Sequence, residues 1–286
     1  MRLASLRGRG VVLPGGEGGP LLAHDVSRLS QGRIGPDPMA MYGAVDEIRS
    51  LLAAADPETA QPVTVEELDA PVPRPSSVVA IGLNYAEHAH ESGFAAPEGL
   101  PPVFTKWPSS ITGAHGQVEL PAGSVDWEVE VVAVLGRTLH RAQEHEVVAA
   151  LAGITVGQDL SERERQMRGP APQFGLAKSF PGFSPIGPWV VTLDDAPDLT
   201  DLSLGCAVNG EVVQDGTTAR LLHSVTSSIA QLSEVLTFQP GDLVFTGTPD
   251  GVGMARTPPR FLADGQVLTT WVRGVGRMEH RLVAAG

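Results

Sequence analysis

Apolar residues along this chain fall in short runs separated by polar, turn-forming stretches, and few runs have the length or period of a helix. The alternation predicts strands over residues 4–13, "SVVAIGLNY" (77–85), "WEVEVVAVLG" (127–136), "ITVGQDL" (154–160) and "GDLVFTG" (241–247). The tail "QVLTTWVRGVGRMEHRLV" (266–283) reads as paired strands. "LSLGCAVNGEVVQDG" (202–216) predicts a hairpin, because Asn209-Gly210 suits a tight two-residue turn. Helical spacing is read over residues 39–55, in "EHEVVAALAGIT" up to about Gly153 and in "HSVTSSIAQLSEVL", and "AEHAHESG" (86–93) reads as a short helix or turn ending at Gly93. In the last of these Val225, Ile229, Leu232, Val235 and Leu236 share a face, and Ser224 is placed as the N-cap. A turn is expected at Pro14-Gly15-Gly16. "DAPVPRPSS" (69–77) is a stiff proline-rich connection, so a boundary is placed there: a small N-terminal domain, 1–70, and a main domain, 71–286. The 28 residues "SERERQMRGPAPQFGLAKSFPGFSPIGP" (161–188), rich in Gly, Pro and charge, read as a functional loop or lid. The fold class is therefore α+β and β-dominated, with short helices and no regular βαβ alternation.

One strand breaks its own pattern. Glu128 and Glu130 lie two apart in an otherwise apolar run, so their side chains leave the same face. At about 7 Å apart they repel by roughly 2 kcal/mol at an effective dielectric near 20, and burial adds to that cost. Such a pair calls for a cation. Asp159, at the end of the apolar "ITVGQDL" run, supplies a third carboxylate. Three hard oxygen ligands without Cys or His favour Mg²⁺, or else Mn²⁺ or Ca²⁺, with coordination positions left for substrate. An isolated E-x-E would more often face solvent; the company it keeps decides the reading here. His88 and Glu91 sit three apart, where the glutamate fixes the histidine tautomer and makes a general base for water. His90 points elsewhere. Lys178 stands in apolar surroundings inside the lid, suited to an anionic substrate or a developing enolate. Arg163 and Gln166 in "SERERQ", and Thr248 in "TGTPDGVG", are candidate substrate contacts. The latter loop lacks the G-K-[ST] ending of a nucleotide-binding loop.

Composition narrows the class. A formal net charge of −13 argues against nucleic acid as the main partner. No apolar stretch is long enough to span a membrane, and the N-terminus carries no secretory pattern. The single cysteine, Cys206, rules out an internal disulfide and fits a reducing cytoplasm.

The ordered set G-L-N-Y-A-x-H-x-x-E, F-x-K, W-E-V-E-V, Q-D-x-S-x-R-x-x-Q, A-K-S-F and G-D-L-V-F-T-G-T-P-x-G-V-G, within residues 77–283, resembles the fumarylacetoacetate hydrolase family. The resemblance implies a mixed β-roll with a β-sandwich-like core, usually dimeric, and one Mg²⁺ or Mn²⁺ per subunit. Carried onto this sequence, Glu128, Glu130 and Asp159 match the metal ligands. His88 and Glu91 match the catalytic dyad, Lys178 the substrate-facing lysine, and Arg163, Gln166 and Thr248 pocket positions. "AIGLNYAEH" lacks the extra metal-contacting carboxylate of fumarylacetoacetase. The resemblance is therefore to the smaller members acting on acylpyruvates, oxaloacetate or 2-oxo-dienoates. The implied activity is hydrolysis of a C–C bond in a β-diketo acid through a metal-stabilised pyruvate enolate, on a small anionic 2-oxo acid. The same enolate admits oxaloacetate decarboxylation or dienoate isomerisation. A metal-dependent 2-oxo-acid-binding protein without turnover is the alternative of another class, and the His88–Glu91 pair argues against it.

Overall fold

The structure is a computed structural model that describes residues 1–15, 19–91, 93, 97 and 99–286. Gly16, in the expected N-terminal turn, lies outside the described residues. The strand Val129–Leu135 occupies the middle of a large sheet and is buried along its whole length. It pairs antiparallel with Leu151–Gln158 on one side and Leu243–Phe245 on the other. Leu243–Phe245 in turn runs parallel to Val78–Ile81. Beyond Leu151–Gln158 the sheet continues through Ser184–Val191, which pairs with Arg2–Leu6 (Leu3 opposite Val190), and on to Arg9–Leu13, Leu21–Asp25 and Gln61–Val63. A second sheet is built from Ser203–Val208, Glu211–Thr217, Val267–Val272, Gly276–Ala284 and His115–Leu120.

Alternation along Val129–Leu135 explains why the run is apolar on both faces. Val129 and Val131 join a core that includes Leu204, Cys206, Leu268, Met278 and Leu282 of the second sheet, which is the sandwich-like layer. Val132 and Val134 pack with Met41, Tyr42 and Ile48 from the N-terminal segment. Ala133 and Leu135 meet Val147, Val225, Ile229 and Leu232 of the helices Glu144–Ala150 and Val225–Ser233.

Most predicted elements stand, with instructive differences. Residues 4–13 form two strands, Arg2–Leu6 and Arg9–Leu13, joined by Arg7 (φ 51°) and Gly8 (φ 75°). That is a two-residue turn with both residues left-handed, written without the usual Asn-Gly signal. The helix expected to reach Gly153 ends at Ala150, and a strand begins at Leu151. A Cβ on Gly153 would lie 2.1 Å from the Val191 carbonyl, so the glycine marks close strand approach rather than a helix stop. The last part of the expected lid, from Ser184, is a buried strand, and its Pro188 falls where the register against Ile154–Val156 shifts. The Asn209-Gly210 hairpin and the Ser224 cap, whose side chain accepts from the Ser227 N–H, are as expected. Val235 lies beyond the helix end and is 83% exposed. No described helix is long and apolar enough to cross a membrane.

The second sheet also carries a pH liability. His280 is buried, donates from Nε2 to the Gly113 carbonyl at 2.9 Å, and leaves Nδ1 without a partner among the described residues. Burial, reinforced by His115 and opposed by that hydrogen bond and Glu279, holds its pKa down to about 4. Between pH 6.5 and 4 the unfolded chain takes up a proton that the folded chain refuses, so stability falls as pH falls through that window, by on the order of 2–3 kcal/mol. His280→Gln should flatten this part of the pH profile of urea unfolding. Parallel loss in both proteins would remove His280 as the cause.

Candidate metal centre

The three carboxylates meet because the backbone breaks its ladder next to them. Between Asp126, which ends a short bridge to Ser161–Glu162, and Val129, two N–H groups turn to side-chain amides. Glu128 N–H donates to Gln158 Oε1 and Val129 N–H to Gln214 Oε1, both at 2.9 Å. Gln214 also donates to the Thr248 hydroxyl at 2.9 Å and the Pro249 carbonyl at 2.8 Å. Glu130 follows within the strand and Asp159 just past the end of its neighbour. Oxygens of Glu128, Glu130 and Asp159 lie within 4.8 Å of one another, and all three residues are buried. They could hold a metal ion.

The protein's own cations neutralise the three unevenly. Lys178 Nζ donates to Glu128 Oε2 at 2.5 Å and Asp159 Oδ2 at 2.6 Å. Arg163 reaches Glu128 Oε1 at 2.7 Å. The fully buried Lys106 pairs with Asp159 Oδ1, with its remaining contacts to the Lys178 carbonyl at 2.5 Å and the Phe183 carbonyl at 3.3 Å. Among the described residues, Glu130 accepts a single hydrogen bond, from the Gly247 N–H at 2.7 Å. Gly247 has φ 103°, and a Cβ there would meet Asn84 Cβ at 2.8 Å, so the loop needs glycine.

The charge states follow. Burial alone would raise Glu128, but Lys178 and Arg163 outweigh it and hold the carboxyl well below the usual range. Burial and then the negative fields of Asp159 and Glu128 push Glu130 well above that range, against Lys178 and the Gly247 N–H. Burial lowers Lys106 despite Asp159, whereas Lys178 is raised because Asp159 and Glu128 outweigh burial. Tyr85 carries a buried hydroxyl without a partner among the described residues, and burial and the Glu130 charge push its phenol up. An under-neutralised carboxylate, an orphaned hydroxyl and three hard oxygens fit a hydrated dication.

His88 lines the same pocket, together with Glu128, Glu130, Arg163, Gln166, Lys178 and Thr248. Its Nδ1 lies 2.9 Å from Glu91 Oε1. With that nitrogen donating, Nε2 is left as the basic atom. Glu91 is itself anchored from the opposite loop, accepting from Gly251 N–H at 2.9 Å and Val252 N–H at 3.4 Å. His88 and Glu91 share the short helix Ala86–Glu91, and Asn84 just before it donates to the Thr246 and His223 carbonyls at 2.8 and 3.0 Å. All the sequence-derived candidates thus converge on one pocket, with Glu91 behind His88 and Asp159 against Lys178.

Two residues escaped the sequence reading. Asp126 accepts from Arg163 Nε and Nη2 at 2.9 and 2.8 Å and from the N–H groups of Trp127, Gly253 and Met254 at 2.8, 2.7 and 3.0 Å. Arg163, also bonded to Gln166 Oε1 at 2.9 Å, is thereby turned toward the pocket wall. Asp126→Ala should cost about 3–5 kcal/mol in chemical denaturation, because a buried guanidinium and three N–H groups lose their acceptor. A change below 1 kcal/mol would show that solvent replaces it. The other is Lys106, visible beforehand only as the K of F-x-K.

Residues 77–283 match the family model described as the fumarylacetoacetate hydrolase C-terminal domain. Human mitochondrial oxaloacetate tautomerase FAHD2A is 41% identical over 216 residues, covering 75% of this chain and 68% of that protein. A Mycobacterium smegmatis crystal structure provisionally named HpcE matches with TM-score 0.92 at 48% identity, over 100% of both chains. Maleylpyruvate hydrolase from Sphingobium sp. SYK-6, solved with manganese(II) and pyruvate, matches with TM-score 0.81 at 28% identity, again over 100% of both.

Proposed function

The chain belongs to the fumarylacetoacetate hydrolase family, and from that premise we propose that it is a Mg²⁺- or Mn²⁺-dependent hydrolase of an acylpyruvate-type β-diketo acid. The observation that carries this reading is a cluster of three buried carboxylates within 4.8 Å, two of which, Glu128 and Glu130, line the same pocket as a histidine paired with a glutamate at 2.9 Å. Glu128, Glu130 and Asp159 would hold the dication, which supplies Lewis acidity toward the oxygens of a 2-oxo acid.

The chain's own groups do the rest. Glu91 keeps the Nδ1 proton on His88, so Nε2 takes a proton from water. The resulting hydroxide adds to the distal carbonyl, and the C–C bond between the acyl carbon and the pyruvate methylene breaks. The acyl half leaves as a carboxylic acid. The electron pair passes to the pyruvate half, whose methylene carbon takes back the proton that His88 removed from water, so that pyruvate leaves and the histidine is restored. Lys178 Nζ, held against Glu128 and Asp159, places positive charge where the enolate oxygen develops. Thr248, Gln166 and Arg163 orient the acid.

Incubation of acetylpyruvate with the protein and Mg²⁺ or Mn²⁺, read by mass for pyruvate and acetate, tests the reading. Absence of both products with either ion would end it. The relationship to an oxaloacetate tautomerase favours a second reading, proton transfer on or decarboxylation of oxaloacetate at the same centre; with that acid included, mass reads decarboxylation as pyruvate, and the ultraviolet absorbance of the enol reads tautomerisation, which leaves the mass unchanged.

A further inference from the structure

The charged groups of the pocket all belong to one cluster of side chains. His88, Glu128, Glu130, Arg163 and Lys178 are the charged or titratable side chains among its described lining residues, and all belong to the centre above. Both cations are already committed to carboxylates: Arg163 to Asp126 and Glu128, Lys178 to Glu128 and Asp159. The rest of the wall is mostly apolar, with Leu83, Pro102, Phe104, Met167, Phe174 and Met254. The direction in which it extends can be read from two contacts. The Phe104 ring centroid lies 5.0 Å from Lys178 Nζ, and the Phe174 centroid lies 5.5 Å from that of Phe104. The two rings therefore lead from the charged end into the apolar part. Leu83 holds a left-handed backbone, φ 57°, which a branched apolar side chain adopts only where the surroundings impose it.

Of the arginines near the pocket, three are turned elsewhere, while Arg168, which follows Met167 in sequence, is exposed and is not among the residues lining the wall. The Arg256 guanidinium donates to the Val213 and Gly251 carbonyls at 2.8 and 3.4 Å and stacks 5.6 Å from the Trp127 centroid. Arg260 sits over that same ring at 6.0 Å and pairs with Glu211 at 2.8 Å. Arg165 lies 5.3 Å over Phe180. None of the residues outside the described set (16–18, 92, 94–96 and 98) is Lys, Arg or His.

We infer that the part of the substrate beyond the cleaved bond is an uncharged, apolar acyl group, lodged among Leu83, Phe104, Phe174 and Met254, and not a chain ending in a second carboxylate. This rests on the 2-oxo-acid reading above and narrows it. It also sets this chain apart from a hydrolase of maleylpyruvate, whose far end is a carboxylate. A carboxylate pressed against this wall would lose water and gain no partner, whereas each methylene moved out of water favours binding.

Binding of inert analogues tests the wall without requiring turnover. In saturating Mg²⁺, calorimetry should show 2-oxooctanoate binding at least tenfold more tightly than 2-oxooctanedioate. Affinity should also rise by roughly two- to fourfold per methylene from 2-oxobutanoate to 2-oxohexanoate. Met254→Arg should bring the diacid up by tenfold or more relative to the monoacid; should that variant not fold, the wild-type comparison stands alone. Equal or tighter binding of the diacid by the wild-type protein overturns the inference. If acetylpyruvate is still cleaved in that case, the hydrolase reading survives it. Failure of every 2-oxo acid to bind at millimolar concentration would remove both.

Discussion

Glu130→Gln is expected to abolish tight divalent-ion binding and, with it, turnover, by on the order of 10³-fold or more in kcat/KM. Glu130 is the carboxylate with the weakest neutralisation, since Lys178 and Arg163 attend to Glu128 and both lysines attend to Asp159. The amide keeps an acceptor for the Gly247 N–H, so the fold should survive with a change of about 1 kcal/mol or less. Equilibrium dialysis with Mn²⁺ reads the first effect and urea unfolding the second. A glutamine variant that binds Mn²⁺ as tightly as wild type, or hydrolyses acylpyruvate at the wild-type rate without added ion, would show that the ligand set has been misassigned.

His88→Ala should leave ion affinity within about twofold while lowering acylpyruvate hydrolysis by 10²–10⁴-fold, the usual worth of a positioned general base. Glu91→Gln should fall between the two, since it leaves the imidazole in place without the carboxylate that selects its tautomer. Oxaloacetate decarboxylation needs no activated water, so its persistence in His88→Ala alongside lost hydrolysis would separate the two chemistries. Equal retention of both activities would take the histidine out of the mechanism.

The candidate centre was legible wherever a charged residue stood inside an apolar run. Glu128, Glu130 and Asp159 are conspicuous because burial makes an unpaired carboxylate costly, and the structure does bring them together. His88 and Glu91 were legible as neighbours on one helix face. Asp126 continues the same two-residue spacing as the glutamates, but its function depends on Gly253 and Met254, more than a hundred residues away. Lys106 lies in an irregular segment where nothing local distinguishes a buried lysine from a solvated one; only the packing of Asp159 and the Lys178 carbonyl around it decides. The same limit applies to the fold. Turn chemistry at Asn209-Gly210 is local and therefore legible, whereas the switch from helix to strand at Leu151 answers to Val191 in a neighbouring strand. Period and composition report the faces of an element, and long-range pairing chooses between elements of similar apolar content.

The mismatch between cations and carboxylates at the centre sets an order of events. Asp126, Glu128, Glu130 and Asp159 carry four negative charges against three positive ones on Lys106, Arg163 and Lys178, leaving one in excess, which a proton on Glu130 would cancel. An arriving dication would displace that proton and turn the balance to one positive. An organic anion would then be drawn toward a site whose net charge had not favoured it before. The acid should consequently follow the ion and never precede it, and saturating acid should slow the ion's departure.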